Sequence, residues 1–327
     1  MTALAVGLLL QPLVLRAMTA ASVIDTPCER SSHTIPVPRG GGVAVVLAAT
    51  AALLLDDRTR ILALPLLLFA AIGLVEDLRG VAVRVRLVLQ LLAGLLTGLV
   101  LLDDDQPLTA RAVALLVVAV WLTAYSNAFN FMDGVNGISA TQAILAGWVY
   151  VALGLMWDLP VLTSGGAIVA AAATTFLPWN AGRAKIFLGD VGAYSLGGIL
   201  GTFAVYGLLS GVPAEAALAP LALYLADTGW TLARRIRRGE PWYRAHRSHV
   251  YQRLTDVGWS HQRVTTATAF VGAAAASCFV AAAVGGSLVR VALDVVGLAI
   301  LAGYLSTPSR LTSRPTRPQP ADRSVHA

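Results

Sequence analysis

The sequence predicts an all-α integral membrane protein with about eleven transmembrane helices, its N-terminus outside and its C-terminus in the cytoplasm. Only 13% of its 327 residues are charged, against roughly 25% in soluble domains. Apolar runs recur along the chain, many of them near the ~20 residues that cross a bilayer. Of the 24 Lys and Arg residues, 18 fall in alternate segments between these runs, which the positive-inside rule assigns to the cytoplasm.

Eleven apolar runs predict the eleven helices in order. They lie at 1–22, 43–56, 61–75, 85–102, 110–126, 137–157, 161–178, 191–210, 214–233, 264–284 and 288–305. The first run has no basic residue before Arg16, unlike a cleaved signal peptide, so we interpret it as a retained helix. The tail at 306–327 is rich in Pro, Ser, Thr and Arg, and we predict that it is disordered.

The remaining composition argues against several classes of function. The net charge of +6 follows the membrane topology, so it does not indicate nucleic-acid binding. Cys28 and Cys278 lie far apart without the spacing of a metal site, and we expect two reduced thiols. The chain contains neither a Walker loop nor a GxSxG elbow, the usual signatures of P-loop nucleotide binding and of serine hydrolases.

Five polar segments interrupt the apolar runs, and the predicted topology places all five at the inner membrane face. The first is DTPCERSSHTIPVPRGGG at 25–42, where Arg39 and the glycines can hold phosphate through guanidinium and backbone N–H groups. The second is EDLRG, in which Glu76 and Asp77 are adjacent acids at a helix end. Adjacent carboxylates repel unless a cation such as Mg²⁺ lies between them. A solvated connector and a helix cap are the alternatives.

The third segment, NAFNFMDGVN, repeats a polar residue every three positions, at Asn127, Asn130, Asp133 and Asn136. Each step turns back about 60° on an ideal helix, so the four side chains cannot share one face. Since polar groups facing lipid are costly, we predict that the helix breaks near Asp133 and that the group lines a cavity. A helix-packing network is the alternative.

The fourth segment, PWNAGRAKIFLGDVGAYSLGG, carries Asn180, Lys185, Phe187 and Asp190 just before a new apolar helix. Asp190 is placed to cap that helix or to hold a metal near a phosphate, and Phe187 to stack on a base or to pack. The fifth segment, at 234–263, contains HRSH at 246–249. Its histidines and arginine can bind a pyrophosphate, or form a solvated basic loop. Together the segments suit Mg²⁺-assisted phosphoryl transfer from a soluble anionic donor to a lipid.

The same motifs, in the same order, resemble the polyprenyl-phosphate N-acetylhexosamine-1-phosphate transferases of glycosyl transferase family 4, in the WecA/WbpL-like branch of the MraY superfamily. The resemblance covers about residues 1–305 and implies a single membrane transferase domain in a bacterial plasma membrane, with its site facing the cytoplasm. It implies transfer of N-acetylhexosamine-1-phosphate from a UDP-sugar to polyprenyl phosphate, with UMP as the other product, initiating a cell-surface glycan. The implied cofactor is Mg²⁺, with Mn²⁺ as an alternative. The sugar and the oligomeric state are not readable, and a homodimer is one option.

The resemblance also implies roles for individual residues. The catalytic candidates are Asp77, Glu76, Asp133, Asp190 and His246, and the metal ligands are Asp190 and Asp77. The substrate-binding candidates are Asn127, Asn130, Asn136, Asn180, Lys185, Phe187, Arg39, His33, Arg247 and His249. Two residues depart from the family pattern, because Glu76 and Asn136 stand where Asp is commoner.

Three alternative functions remain to be weighed. A phospho-N-acetylmuramoyl-pentapeptide transferase of the MraY type is disfavoured, because three consecutive histidines are missing from the HRSHVYQRL loop. A transporter would carry charged residues near the middle of its helices, whereas the acids here cluster at helix ends. Asp227 comes nearest to an exception, and we interpret it as satisfying polarity within the bundle. A non-catalytic lipid-binding scaffold would not need the acids.

Overall fold

A computed structural model describes residues 1–27, 35–103, 105, 107–241 and 246–312, and these residues form a helical bundle. The helices are α1 (Thr2–Ala20), α2 (Gly42–Leu53), α3 (Ala63–Arg79), α4 (Val83–Leu101), α5 (Leu108–Phe131), α6 (Ile138–Met156), α7 (Pro160–Asn180), α8 (Gly189–Leu209), α9 (Ala214–Leu218), α10 (Ala222–Arg237), α11 (Val250–Asp256), α12 (His261–Val284) and α13 (Ser287–Thr312). Strands β1 (Ile24–Asp25) and β2 (Val37–Pro38) pair antiparallel between α1 and α2. The predicted all-α fold is confirmed.

Nine helices in the described part of the chain are long and apolar enough to cross a membrane, fewer than the eleven runs that we predicted. Helix α2 spans 12 residues, which is short of a full crossing. The predicted run at 214–233 is divided into α9, a 3₁₀ turn at Ala219–Leu221 and α10. Pro220 lies in that turn, and a proline inside a helix removes a backbone hydrogen bond and clashes with the preceding turn. The chain is a multi-span membrane protein, and the orientation of its termini stays a prediction.

Helix α8 forms the centre of the bundle, with most of its length buried. Small residues let neighbouring helices approach it closely. A Cβ added to Gly42 of α2 would lie 2.3 Å from the Cα of Gly192, and one added to Gly73 of α3 would lie 2.2 Å from the backbone oxygen of Asp190. The start of α8 is therefore fixed against two other helices.

Helices at the periphery present apolar side chains outward, as a lipid environment requires. Leu92 and Leu96 of α4 and Val295 and Leu298 of α13 are all about half exposed. Helix α13 continues through Pro308 to Thr312, seven residues past the boundary at 305 that we predicted for the membrane domain. The rest of the predicted tail, 313–327, lies outside the described residues.

The connection between α1 and α2 pairs with the connection between α7 and α8. Arg39 and Phe187 form a parallel bridge. The Phe187 N–H donates to the Pro38 oxygen at 2.8 Å, and the Gly41 N–H donates to the Phe187 oxygen at 2.9 Å. These bonds bring the first and fourth polar segments together at one end of the bundle.

Candidate functional site

A cavity of about 210 Å³ opens at the end of the bundle where the polar segments meet. Its walls come from the α1–α2 connection, the end of α3, the α5–α6 break, the α7–α8 connection, α11 and the start of α12. The lining residues are Asp25, Arg39, Asp77, Asn130, Asp133, Gly134, Val135, Asn136, Asn180, Phe187, Leu188, Gly189, Asp190, Gln252 and His261. All five polar segments contribute at least one residue. The side chains that we predicted and that line the cavity are Arg39, Asp77, Asn130, Asp133, Asn136, Asn180, Phe187 and Asp190.

Asp77, at the end of α3, caps the start of α8. Its side chain is almost fully buried, and its two oxygens accept the N–H groups of Asp190 at 3.1 Å and Val191 at 2.9 Å. A carboxylate at a helix N-terminus satisfies unpaired N–H groups and favourably meets the helix dipole. Arg39 supports this arrangement, because its Nη2 donates to the Asp77 backbone oxygen at 2.8 Å and its Nε lies 3.7 Å from Oδ1.

The capping contact depends on Gly189. This residue has a φ of +75°, a conformation that glycine adopts without steric cost. A Cβ at this position would also lie 2.6 Å from the Asp77 Oδ2. Local geometry therefore explains the FLGD sequence. Its glycine leaves room for the Asp77 carboxylate at the N-terminus of α8, and its aspartate follows in the first turn.

Asp190 is oriented from a second side by Asn130. The Asn130 Nδ2 donates to Asp190 Oδ1 at 2.5 Å, and Asn130 lies in the last turn of α5. Asp190 is thus held by the Asp77 carboxylate of α3, which accepts its backbone N–H, and by the Asn130 amide of α5, which donates to its side chain. Such constraints fix the direction of a carboxylate without neutralising its charge.

Asp133 lies where the chain breaks between α5 and α6, as the sequence predicted. The turn that follows it ends at Gly137, which has a φ of +84°. Burial, together with the nearby charges of Asp190 and Asp77, raises the pKa of the Asp133 carboxyl to about 7. Asp133 therefore changes its charge near neutral pH, where an ordinary aspartate is fully ionised.

Asn136 and Asn180 hold the cavity walls in place. The Asn180 Oδ1 accepts the Gly137 N–H at 2.7 Å, and its Nδ2 donates to the Ile186 oxygen at 3.0 Å. The Asn136 Nδ2 donates to the Gly182 oxygen at 2.6 Å. Both side chains thus join the α5–α6 break to the α7–α8 connection, a positioning use of amides that the sequence did not distinguish from ligand binding.

Three predicted site residues from the second, third and fourth segments lie outside the cavity lining. The Asn127 Nδ2 donates to Gln90 Oε1 at 2.6 Å and to the Thr123 oxygen at 2.8 Å, which is the helix-packing alternative. Glu76 pairs with Arg86 at 3.1 Å. Lys185 is exposed, and its Nζ lies 5.2 Å from the centre of the Trp179 ring.

The HRSH motif also lies beside the cavity and does not line it. The His249 Nδ1 contacts Asp227 Oδ1 at 3.2 Å, and Arg247 pairs with Asp256 at 3.1 Å. Burial, together with the neighbouring His249, lowers the pKa of His246 to about 4. The neutral form of His246 is therefore favoured at physiological pH, and its contact with a pyrophosphate stays a prediction. His33, another predicted site residue, lies outside the described residues.

The predicted phosphate cradle of the Gly40–Gly42 loop needs a correction. The N–H groups of Gly41 and Gly42 donate to the backbone oxygens of Phe187 and Leu188 at 2.9 and 2.8 Å. These amides join two loops and are occupied. Arg39 is the part of this segment that can still meet an anion.

Three polar lining residues were not named as site residues by the sequence analysis, namely Asp25, Gln252 and His261. The His261 Nδ1 accepts the Asn136 N–H at 3.3 Å, and Gln252 accepts the His249 N–H at 3.2 Å. A signal for His261 was present, because Ser260 caps α12 through its bond from the Arg263 N–H. A histidine immediately after a capping serine, at the inner end of a membrane helix, could have been included.

Asp77 and Asp190 are the candidate carboxylate ligands for a magnesium ion at the cavity. Among the described residues there is no group of three His, Cys, Asp or Glu side chains close enough to hold a metal. Magnesium does not need one, since it is usually held by one or two carboxylates together with water and substrate phosphates. Asp190 and Asp77 supply such a carboxylate pair, and each oxygen of Asp77 keeps a lone pair beyond its N–H contact.

Fold and site together define a polytopic membrane protein with acids, amides and an arginine around one cavity at its helix ends. Residues 59–208 match the model of glycosyl transferase family 4. The chain is 27% identical to a probable undecaprenyl-phosphate N-acetylglucosaminyl 1-phosphate transferase of Bacillus subtilis, over 78% of this chain and 76% of the relative. It is 28% identical to a decaprenyl-phosphate N-acetylglucosaminephosphotransferase of Mycobacterium leprae, over 73% and 71%. These matches confirm the family resemblance that the motifs predicted.

A shorter similarity reaches a related branch. Over 101 residues, 31% of each chain, the sequence is 35% identical to a phospho-N-acetylmuramoyl-pentapeptide-transferase of Staphylococcus epidermidis. The longer alignments therefore favour the N-acetylglucosaminyl phosphate transferases over the pentapeptide branch.

Proposed function

We propose that this protein transfers N-acetylhexosamine-1-phosphate from a UDP-sugar to a polyprenyl phosphate, releasing UMP and leaving a polyprenyl-pyrophosphoryl sugar. The observation that carries the proposal is the cavity at the helix ends, where Asp77, Asn130, Asp133 and Asp190 meet Arg39. Its position at the end of a membrane bundle suits a lipid whose phosphate lies at the membrane surface and a donor that arrives from water. The names of the relatives favour N-acetylglucosamine as the sugar.

The residues divide into three roles in this proposal. Asp190 would hold a magnesium ion, with Asp77 as a second ligand, and the charge of the ion would offset repulsion between the two phosphate-bearing substrates. Arg39 meets a phosphate through its guanidinium group. Asn130, Asp133 and Phe187 form the nucleotide side of the cavity, where Phe187 offers its ring to the uracil.

The proposed reaction is a single in-line displacement. An oxygen of the lipid phosphate attacks the phosphorus bonded to the sugar, the bond from that phosphorus to the bridging oxygen breaks, and UMP leaves with that oxygen. A phosphate monoester has a second pKa near 6, so it is largely ionised at pH 7 and needs little help from a general base. A covalent aspartyl intermediate is the alternative, and exchange of labelled UMP into the donor without lipid would support it.

The orientation proposed for the membrane places the cavity in the cytoplasm of a bacterial cell. The support is the concentration of Lys and Arg in the predicted inner segments, since a UDP-sugar is a cytoplasmic metabolite. Cysteine accessibility in intact cells tests this directly: a residue at the exposed Lys185 should be protected from an impermeant reagent, and one at the exposed Asp57 should be labelled. A homodimer is proposed as the assembly, to be tested by mass measurement in detergent.

The decisive experiment measures UMP release by the purified protein with UDP-N-acetylglucosamine, undecaprenyl phosphate and Mg²⁺. The protein should release UMP only when the lipid is present, and Asp190→Asn should abolish the activity. Asp57→Asn is the matched control, because this exposed acid lies between α2 and α3 and pairs with Arg60. Release from UDP-N-acetylmuramoyl-pentapeptide would instead assign the pentapeptide branch. No release from that donor or from any UDP-N-acetylhexosamine would refute the proposal.

A further inference from the structure

Asp227 of α10 is a fully buried acid outside the cavity lining, and it gathers five hydrogen bonds. Its Oδ1 accepts the Val250 N–H at 3.0 Å and the Thr231 hydroxyl at 3.3 Å, and contacts the His249 Nδ1 at 3.2 Å. Its Oδ2 accepts the Tyr304 hydroxyl at 2.8 Å and the Tyr251 N–H at 3.3 Å. We call Asp227 with these five partners the Asp227 cluster. It joins α10, the start of α11 and the C-terminal helix α13.

The cluster fixes a short helix that makes two contacts important to the site. Helix α11 spans seven residues, Val250–Asp256, and such a length is not stable by itself in water. Its Gln252 side chain lines the cavity. Its Tyr251 hydroxyl donates to the Phe131 backbone oxygen at 2.9 Å, at the end of α5 and two residues before Asp133.

The contact between Tyr251 and the α5–α6 break is tight. A Cβ added to Gly134 would lie 2.1 Å from the Tyr251 Oη, so the glycine beside Asp133 leaves just enough room for this hydroxyl. The position of α11 and the position of the Asp133 turn are thereby coupled. A continuous path runs from Tyr304 through Asp227 and Tyr251 to the cavity.

We propose that Asp227 is a positioning residue for the donor side of the site: through α11 it sets the place of Gln252 and of the Asp133 turn. The assignment of this side of the cavity to the UDP-sugar donor rests on the proposed function. Asp227 does not line the cavity and so does not contact the substrate. A loss of the cluster should therefore weaken donor binding more than it slows the chemical step.

Asp227→Asn tests the proposal, because the amide NH₂ would face N–H and O–H donors where an oxygen now accepts them. We expect KM for the UDP-sugar to rise at least tenfold while kcat stays within threefold. Thr231→Val is the matched control, since it removes one bond to the same carboxylate and leaves the attachments of α11 intact. A KM within twofold of wild type in Asp227→Asn, or an equal rise in Thr231→Val, would overturn the proposal.

Tyr251→Phe provides a second variant if Asp227→Asn does not fold. It removes the bond to Phe131 and keeps the helix cap, and we expect KM to rise at least threefold. An unchanged KM in Tyr251→Phe contradicts the coupling. Where both single variants fold, the double variant should raise KM by less than the product of the two single effects, because both break one path. Independent, multiplicative effects would contradict it.

Hydrogen exchange separates this inference from the proposed function. The amides of 131–135 and 250–256 should exchange faster in Asp227→Asn than in Thr231→Val, whatever the reaction of the protein. If wild-type protein releases no UMP, the proposed function fails and the exchange result still decides the coupling. If UMP is released and exchange is the same in both variants, the coupling alone fails.

Discussion

Two buried aspartates, Asp77 and Asp227, cap helices in the same way at different distances from the cavity. Asp77 accepts two consecutive N–H groups at the start of α8, and Asp227 accepts two at the start of α11. In both cases the acid belongs to another helix, so one side chain joins two elements. Within a low-dielectric bundle, such a cap removes two unpaired donors that would otherwise be costly.

The two caps differ in what the capped helix presents. Helix α8 carries Asp190 in its first turn, and Asp77 itself lines the cavity beside Arg39. Helix α11 presents Gln252, and Asp227 is enclosed by hydroxyl, imidazole and backbone donors away from the cavity. The comparison teaches that similar hydrogen bonds can serve the reacting groups in one place and the shape of the wall in another. Damage to Asp77 should therefore lower kcat, whereas damage to Asp227 should raise KM.

The largest effect is expected from Asp77→Asn. One oxygen that now accepts a backbone N–H becomes an NH₂ group, and a buried donor facing another donor costs about 1–3 kcal/mol. The negative charge beside Asp190 is lost as well. We expect kcat for UMP release to fall about 10²-fold or more. The assay uses protein that elutes as a single monodisperse peak in size-exclusion chromatography.

Asp57→Asn makes the same chemical change at an exposed position and should retain wild-type activity. If Asp77→Asn kept most of its kcat and its Mg²⁺ requirement did not change, Asp77 would be neither an essential cap nor a metal ligand. A higher Mg²⁺ requirement in Asp77→Asn, with kcat recovered at saturation, would instead favour the metal role over the capping role.

Gly189→Ala should give the next largest effect, because it disturbs the Asp77 cap without removing a charge. Its Cβ would lie 2.6 Å from the Asp77 Oδ2, and Gly189 has a φ of +75°. Gly211→Ala is a close control, since Gly211 has a φ of +84° and nothing lies within 4 Å of the added Cβ. Both variants carry the backbone cost of a positive φ, about 1 kcal/mol.

Only Gly189→Ala adds the clash with the cap, so we expect it to lose about 10- to 100-fold in UMP release while Gly211→Ala stays within about twofold. Both can be compared at matched protein amounts in one detergent. Equal activities in the two variants would show that α8 tolerates displacement of the Asp77 carboxylate.

Much of this arrangement was predictable because polar residues are costly in a membrane bundle. The segments around Asp77, Asn130, Asp133 and Asp190 could be placed at helix ends on one side from hydropathy and charge alone. The glycines after Asp133 correctly predicted the break between α5 and α6. The division of 214–233 at Pro220 was also visible, and the eleven-helix prediction gave too little weight to that proline.

The assignment of individual side chains was harder, because spacing does not reveal partners. Asn127 and Asn130 differ by three positions on one helix, yet one bonds Gln90 and the other bonds Asp190. Nothing in the sequence around Gln90 indicates that its side chain accepts a hydrogen bond from the Asn127 amide. Likewise the spacing of the HRSH motif did not reveal the contact between His249 and Asp227, which joins residues 22 positions apart.

The melting temperature is expected to depend on pH through Asp133, which lines the cavity beside the two capped helices. Its pKa is raised to about 7 by burial, against 3.8 in an unfolded chain. The folded state thus favours the protonated form. Its stabilising contribution is complete below about pH 4 and is lost as the pH rises through 7.

Asp133→Asn removes this titration. The melting temperature of wild type, measured in detergent without Mg²⁺, should fall from pH 5 to pH 8 relative to that of the variant. At 1.36 kcal/mol per pKa unit, the interval from pH 5 to the folded pKa of about 7 limits this change to about 3 kcal/mol. Parallel pH profiles for wild type and Asp133→Asn would show that the pKa of the Asp133 carboxyl is not raised in the folded protein. They would also argue against the tight contact between Tyr251 and the Asp133 turn.

The smallest effect on activity is expected from Asn127→Leu, which sharpens the distinction between a cavity and its supporting helices. Asn127 is buried between α4 and α5, and its amide donates to Gln90 and to the Thr123 backbone. Leaving the Gln90 oxygen without its donor costs about 1–3 kcal/mol, so the melting temperature should fall. Because the side chain does not reach the cavity, kcat and KM of the folded protein should stay within about twofold of wild type.

Asn130→Leu, one turn further on, removes the bond to Asp190 and should lower kcat at least tenfold. A KM change in Asn127→Leu as large as that in Asp227→Asn would mean that α4 and α5 also shape the donor side, and that the cap on α11 is not the main route by which packing reaches the site.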